Sequence, residues 1–227
     1  MRRGLYVELI GLWGAVPVAL ALDPTPRIHV LAVLVAGLGY AAAVARCARP
    51  PVAALGLRGA AGLRASVRDG APWIGAALVL LPGVVLALHG AEGLGRWPRD
   101  DMAGLAVLWL VYATVSVTAQ ELLFSSFFYW RYRDLTSPHR LDVLNVAAFG
   151  LAHLVYGSWI SVGLSMLGRV VLVRVYRRHG NVWAVWLLHL ALGTLVFAVG
   201  LGPYFYRPLA ASAWTGVAGV PGPATGR

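Results

Sequence analysis

Residues 118-TAQELLFSSFFYW-130 place two polar side chains, Gln120 and Glu121, inside a run of apolar and aromatic residues. That run extends from about Met102 to Tyr129, which is long enough to cross a bilayer as a helix. A carboxylate within the hydrocarbon is costly, and such residues usually face a polar cavity or a charged partner instead of lipid. The position of Glu121 therefore marks a candidate functional site.

The composition of the whole chain is that of a polytopic membrane protein. Of its 227 residues, 59% are hydrophobic and 12% are charged, and the mean hydropathy is +0.72. The net charge is +10, but the arginines are not gathered on one soluble face, so nucleic acid is not an expected partner. The single cysteine, Cys47, excludes an intrachain disulfide and a multi-cysteine metal site. We predict an all-α fold embedded in the bilayer.

Seven apolar segments are predicted to be transmembrane helices. Residues 1–101 hold three of them and a basic loop at 48–72, for which a helix on the membrane surface and a plain linker are both compatible with the sequence. Residues 102–200 hold the other four, and the Pro- and Gly-rich tail 201–227 is predicted to be loosely ordered. The predicted helices are Leu5–Leu22, Ile28–Cys47, Trp73–Ala91, Met102–Tyr129, Leu141–Tyr156, Trp159–Tyr176 and Val182–Gly200.

The distribution of arginines predicts the orientation, because cytoplasmic loops of membrane proteins are enriched in basic residues. With a cytoplasmic N-terminus, thirteen arginines fall on that side and five on the other, while Arg169 lies inside the sixth helix. We expect a bacterial inner-membrane protein with its N-terminus in the cytoplasm and its C-terminus outside. The thirteen are Arg2, Arg3, Arg46, Arg49, Arg58, Arg64, Arg68, Arg131, Arg133, Arg140, Arg174, Arg177 and Arg178.

Three ionisable residues on different predicted helices reach a similar depth. Measured from the cytoplasmic helix ends, Glu121 lies roughly 12 Å deep, His153 about 18 Å and His189 roughly 10 Å. One such residue often serves packing alone, but three at one level predict a shared polar cavity, expected to open toward the cytoplasm. Glu8, near the end of the first helix, is expected to reach outward or to pair with an arginine.

One carboxylate and two imidazoles are suited to hydrolysis. A glutamate beside a histidine activates water as a general base, and a second histidine donates to the oxyanion, which together cleave a peptide bond without a covalent intermediate. The same three residues suit zinc less well, because the sequence has no H-E-x-x-H motif and no second carboxylate nearby. Neither Ser125 nor Ser126 is marked as an activated nucleophile. We therefore expect no metal and no other cofactor.

The order of these motifs resembles the CPBP family of CAAX proteases and bacteriocin-processing enzymes. The stretches that carry the resemblance are QELLFSSFF, 149-FGLAH-153 and 168-GRVVLVRVYRRHGNVWAVWLLHLALG-193, which together span roughly residues 102 to 200. The family pattern is E-E-x-x-x-R, F-x-x-x-H and H-x-x-x-N on successive helices of an intramembrane glutamic protease. The resemblance implies that Phe149 and His153 form the second motif and that His189 begins the third.

The resemblance also implies departures at three positions. With Phe124 aligned to the aromatic residue that precedes the family's arginine, Gln120 stands at the first glutamate and Ser125 at the arginine. In the same alignment Gly193 replaces the asparagine. A glutamine does not accept a proton, so the role of base passes to Glu121, which requires a rotated or distorted helix because adjacent residues differ by about 100°.

Two functions are compatible with this sequence. The first is an endopeptidase that cuts a membrane-embedded or lipid-anchored protein near its C-terminus, with Glu121, His153, His189 and Gln120 as catalytic residues. The supporting residues would be Phe149, Phe124, Ser125 and Gly193, and Arg131 or Arg133 would supply positive charge to Glu121 from the loop. The second is a catalytically silent relative that binds a membrane segment as an immunity or assembly factor.

Overall fold

The computed structural model is a bundle of helices, and no β-strand occurs among the described residues. The structure describes residues 2–23, 26–57, 59–60, 62–100 and 102–205. Most of the predicted loosely ordered tail, from residue 206 onward, lies outside them. The principal helices are α1 (Arg2–Ile10, Gly11–Ala15 and Val16–Leu22), α2 (Pro26–Ala48), α3 (Leu63–Gly93), α4 (Met102–Val111, Tyr112–Val117, Thr118–Glu121, Leu122–Phe127 and Phe128–Tyr132), α5 (Pro138–Ala152), α6 (Trp159–His179) and α7 (Val182–Val199).

Six of the described helices are long and apolar enough, by length and composition, to cross a membrane. The exception is α5, whose 15 residues continue directly into a 3₁₀ turn at His153–Tyr156. Together they rise about 30 Å, which matches the hydrocarbon thickness of a bilayer. The predicted all-α membrane fold is confirmed, and the chain is an integral membrane protein.

The loop at 48–72 is neither a separate surface helix nor wholly a linker. It contains a 3₁₀ turn at Val52–Leu55, and its last ten residues are the first turns of α3, which begins at Leu63 and not at Trp73. A Cβ on Gly70 would overlap the side chain of Leu188, so α3 packs closely on α7 at this level. No local sequence pattern predicts this contact between the two helices.

Aromatic side chains fill one half of the bundle. We call this half the arginine-rich end: there α2, α4 and α6 finish, and α3, α5 and α7 begin. Trp13 of α1 packs edge-on against Phe124 and Phe128, with ring centroids 4.6 and 5.3 Å apart. Phe128 and Tyr132 are fully buried in the same cluster. Because these side chains fill the arginine-rich end, a sizeable cavity has space only in the opposite half of the bundle.

Polar contacts join α1 to α4 at the arginine-rich end. Glu8 forms a two-pronged ion pair with Arg131, at 2.9 and 2.6 Å, and also accepts a hydrogen bond from Tyr132. The expectation that Glu8 pairs with an arginine is thus confirmed. The proposed roles of Arg131 and Arg133 beside Glu121 are wrong, because Arg131 is held by Glu8 and Arg133 contacts the neighbouring Asp134 at 3.2 Å.

Candidate functional site

Two π-helical turns in α4 set the direction of the polar pair that marks the site. Tyr112–Val117 and Leu122–Phe127 are π-helical, and the four residues between them, Thr118–Glu121, are α-helical. Each π turn holds more residues than an α turn, so it rotates the side chains on either side of it. The local distortion that Glu121 would need to replace residue 120 as the base is present, but it does not bring Glu121 into the lining of the cavity that holds the histidines.

Gln120 and Glu121 point to different surroundings. Gln120 lines a cavity, and its Nε2 donates to Ser116 Oγ at 2.7 Å. Its Oε1 is buried and has no hydrogen-bond partner among the described residues. Glu121 is only 1% exposed and is not one of the residues that line the cavity. The amide thus faces the cavity, and the carboxylate lies behind the cavity wall.

Glu121 is the centre of a buried polar network. Arg169 Nη1 lies 3.1 and 3.0 Å from its two carboxylate oxygens, and Ser125 Oγ donates to Oε2 at 2.6 Å. His189 Nδ1 lies 2.7 Å from Oε1. Because a carboxylate only accepts, this contact requires the hydrogen on Nδ1. Side chains from α4, α6 and α7 therefore converge on one carboxylate.

Arg169 is fully buried, and all three nitrogens of its guanidinium donate hydrogen bonds to side chains. Besides Glu121, its Nε donates to Asn145 Oδ1 at 2.7 Å and its Nη2 donates to Ser125 Oγ at 3.1 Å. Its Cζ lies 5.7 Å from the ring centroid of Phe124 and 5.2 Å from that of Phe149. A buried charge is tolerated only with such pairing, so the network holds both α6 and the carboxylate in place.

The two predicted histidines line the same cavity as Gln120. His153, in the 3₁₀ turn after α5, has its Nδ1 2.8 Å from the carbonyl oxygen of Phe149. That carbonyl only accepts, so Nδ1 carries the hydrogen and Nε2 holds the lone pair. The Phe149 ring packs between the two imidazoles, with centroids 4.7 Å from His153 and 5.6 Å from His189. Phe124 supports Phe149 edge-on at 4.9 Å.

The cavity measures about 270 Å³ and lies in the half of the bundle away from the arginine-rich end. Its wall is largely apolar, and it includes Tyr112 of α4, Tyr156 after α5 and Phe205 after α7. The expected opening toward the arginine-rich end is wrong, because Trp13, Phe128 and other aromatic residues fill that half. The described residues contain no group of three His, Cys, Asp or Glu side chains that could hold a metal ion.

Residues 102–207, which span α4 to α7, match the family described as Type II CAAX prenyl endopeptidase Rce1-like. They form an Rce1-like domain. The match confirms the resemblance to CAAX proteases and supports a CAAX-type protease kind of function, and the matched region contains most of the residues that line the cavity. No curated protein and no solved structure matches the chain.

Arg169 is the site residue of the Rce1-like domain that the sequence analysis did not assign. Ser125 stands where the family pattern has arginine, and the guanidinium of Arg169 reaches Ser125 and Glu121 from α6 instead. A signal was available: Arg169 is the one arginine deep inside a predicted membrane helix, since Arg46 and Arg174 lie within two residues of a predicted helix end, and Glu121 is an opposite charge inside another helix. Intramembrane charges of opposite sign are commonly partners.

Gly193 is a second position in the Rce1-like domain where a side chain from another helix occupies the place of the family's residue. It stands where the family pattern has asparagine, and it lines the cavity one turn beyond His189. A Cβ on Gly193 would overlap the hydroxyl of Tyr112. The phenol of Tyr112, from α4, thus fills the space that an asparagine side chain on α7 would need. A polar group is present there, although it belongs to another helix.

Proposed function

We propose that this chain is an intramembrane endopeptidase. It would hydrolyse a peptide bond near the C-terminus of a membrane-embedded or lipid-anchored protein, with water as the nucleophile and without a metal ion. The observation that carries the proposal is the 2.7 Å contact between Glu121 and His189, a histidine that lines the cavity. The Rce1-like match supports a protease of the CAAX type.

His189 is the proposed general base. Because its Nδ1 hydrogen is donated to Glu121, its lone pair is on Nε2, where it accepts a proton from water. The carboxylate fixes this tautomer and stabilises the imidazolium that forms, as the acid of a hydrolase triad does. Arg169 and Ser125 hold the carboxylate in turn. Glu121 is then a positioning residue that acts through His189.

Gln120 and His153 are proposed to hold the attacking water. Both residues line the cavity. His153 has an acceptor in Nε2, because its Nδ1 is bound to a carbonyl, and Gln120 Oε1 is buried without a hydrogen-bond partner among the described residues, so it would accept from a water molecule that enters beside it. A water molecule donates two hydrogens, one of which goes to the base. The other is accepted by one of these groups. In this assignment Gln120 accepts a hydrogen bond from the attacking water and takes no proton.

Tyr112 is the proposed donor to the oxyanion. The water oxygen bonds to the carbonyl carbon while His189 takes its proton, and negative charge develops on the carbonyl oxygen. Tyr112 lines the cavity, and its hydroxyl lies against Gly193, one turn from His189. The C–N bond then breaks, and the imidazolium of His189 returns the proton to the leaving amine. The proposed oxyanion donor is thus on α4, whereas the asparagine of the family pattern would be on α7.

The experiment is a comparison of protein termini in bacterial cells that produce the chain or its His189→Ala variant. Mass spectrometry should find new C-termini in membrane proteins with the unaltered chain and not with the variant. His139→Ala is the matched control, because His139 is an exposed histidine at the start of α5, far from the cavity. Identical termini in all three cell lines would favour the silent binding role and refute the peptidase.

A further inference from the structure

We infer that the cavity receives its substrate from the non-cytoplasmic face of the membrane, so that the peptide bond it cuts belongs to a protein already translocated. This inference rests on the proposed function and names its substrate class. It follows from three observations: where the cavity is closed, where it is exposed, and on which side the arginines lie.

The cavity is closed toward the arginine-rich end. One to three turns from the histidines in that direction, Asn145 of α5 and Val185 of α7 are completely buried, and Leu172 of α6 is 2% exposed. On α4 the corresponding residues are Glu121, at 1%, and Phe128, at 0%. A polypeptide has no path through such packing, because protein cores lack voids larger than a water molecule.

In the other direction the cavity wall becomes partly exposed. On α7, His189 is buried, but Leu192, Gly193 and Val196, which follow it along the wall, are each partly exposed. On α4, Gln120 is buried, whereas Tyr112 is partly exposed. These four lining residues are more exposed than the two residues nearer the arginine-rich end, although Phe197, which also lines the cavity, is only 7% exposed. Access to the two histidines therefore comes from the end opposite to the arginines.

The arginine asymmetry then identifies the side. Among the described residues, twelve arginines lie at the closed end by the positions of the helix termini, and basic loops stay in the cytoplasm. The accessible end accordingly faces away from the cytoplasm. The wall of the cavity is largely apolar, which suits an extended segment of apolar side chains. The substrate class is an exported protein held by an apolar C-terminal anchor and cut near the outer surface.

The experiment measures the side from which a cavity cysteine is modified. Val196→Cys, in a Cys47→Ser background, introduces one thiol into the wall without touching the proposed catalytic groups. A membrane-impermeant methanethiosulfonate is applied to right-side-out and to inverted membrane vesicles. Two controls fix the orientation: the native Cys47, which is exposed at the arginine-rich end of α2, and Glu92→Cys in the Cys47→Ser background, at an exposed position in the last turn of α3 at the opposite end.

In right-side-out vesicles we expect modification of Val196→Cys and Glu92→Cys but not of Cys47, and the reverse in inverted vesicles. Modification of Val196→Cys from the cytoplasmic side, from both sides or from neither overturns the inference. So does a reversal of the two controls, because the accessible end would then face the cytoplasm.

The new termini found in cells supply a second readout that separates the two proposals. If they map to segments on the non-cytoplasmic side of their membrane anchors, the inference is supported. If they map to cytoplasmic segments, the inference is overturned while the peptidase stands. If vesicle labelling gives the expected result but His189→Ala changes no termini, the access route stands and the peptidase is refuted.

Discussion

Glu121 and Arg169 are each unfavourable alone in a membrane interior and are stable there as a pair. Their side chains are 1% and 0% exposed, and their contact is 3.0 Å. Desolvation of the two charges consumes much of the attraction between them, so the pair contributes little net stability compared with apolar residues. Its value lies in geometry, since it fixes the carboxylate that orients His189.

The first prediction is a strong non-additivity between these two residues. Glu121→Gln and Arg169→Gln should each destabilise the protein by about 3–5 kcal/mol, because each leaves a buried charge without its partner. The double variant should be more stable than either single variant. Chemical unfolding in detergent micelles measures all three. A double variant whose loss equals the sum of the single losses would show that the two side chains do not interact.

The second prediction concerns Tyr112. Tyr112→Phe should lower kcat for peptide cleavage by about 10²–10³-fold, as the loss of one oxyanion donor does in hydrolases, with little change in KM. Tyr204→Phe is the matched control, because that hydroxyl bonds His89 and lies outside the cavity lining. Steady-state kinetics measures kcat and KM of both variants on a peptide that contains a mapped cleavage site. Equal kcat in the two variants would remove Tyr112 from the mechanism.

At the scale of the helices, hydropathy predicts where most of them lie but not how they are wound. Apolar length alone predicts α4 over Met102–Tyr129, and the structure ends it at Tyr132. The two π turns that direct Gln120 and Glu121 have no such signal. Between the two π turns, Thr118 of α4 accepts a hydrogen bond from Trp186 of α7 at 3.0 Å. A single sequence records the residues but not that contact.

The third prediction tests the packing of α3 on α7. Gly70→Ala should destabilise the protein by about 1–3 kcal/mol, because the new methyl group overlaps the buried Leu188. It should also slow cleavage, since Leu188 immediately precedes His189. Gly75→Ala, on the same helix with open space around it, is the control and should be neutral or slightly stabilising. Thermal unfolding and cleavage rates provide the comparison, and equal behaviour of the two variants would contradict the packing.

The sequence could predict the members of the site better than their arrangement. Glu121, His153 and His189 are recognisable because ionisable residues are expensive in lipid, and the structure joins the first to the third directly. It could not show that Glu121 lies behind His189, nor that Arg169 and Tyr112 would reach positions held in the family by residues of other helices. These positions of Arg169 and Tyr112 depend on how the helices pack against one another, which a single sequence does not record.

The whole molecule divides into a densely packed end and an end that holds the cavity. The packed end carries most of the arginines and the Glu8–Arg131 pair, which ties α1 to α4. The Rce1-like domain contributes most of the cavity wall, and Val30 of α2 is the contribution from the first hundred residues. Of the N-terminal helices, α1 supports the packed end, whereas α3 also packs toward the other end, where Leu81 and Val85 are buried together with Leu201.

The fourth prediction concerns the orientation of the molecule in the membrane. A reporter that is active only in the cytoplasm should give no signal when fused after residue 227, because the arginine asymmetry places the C-terminus outside. The same reporter fused after Arg133, in the loop between α4 and α5, should be active. The opposite pattern would reverse the topology.

The central claim is that His189, oriented by Glu121, takes the proton from the attacking water. Its most direct test is the single-turnover cleavage rate of a mapped segment by purified unaltered protein and by its His189→Ala and Gln120→Glu variants. We predict that His189→Ala lowers the rate by at least about 10³-fold and that Gln120→Glu does not raise it above that of the unaltered protein. A rate that survives in His189→Ala would contradict the account, because the proposed base is absent from that variant. A rate that rises well above the starting value in Gln120→Glu would also contradict it, because position 120 would then be the site of the base.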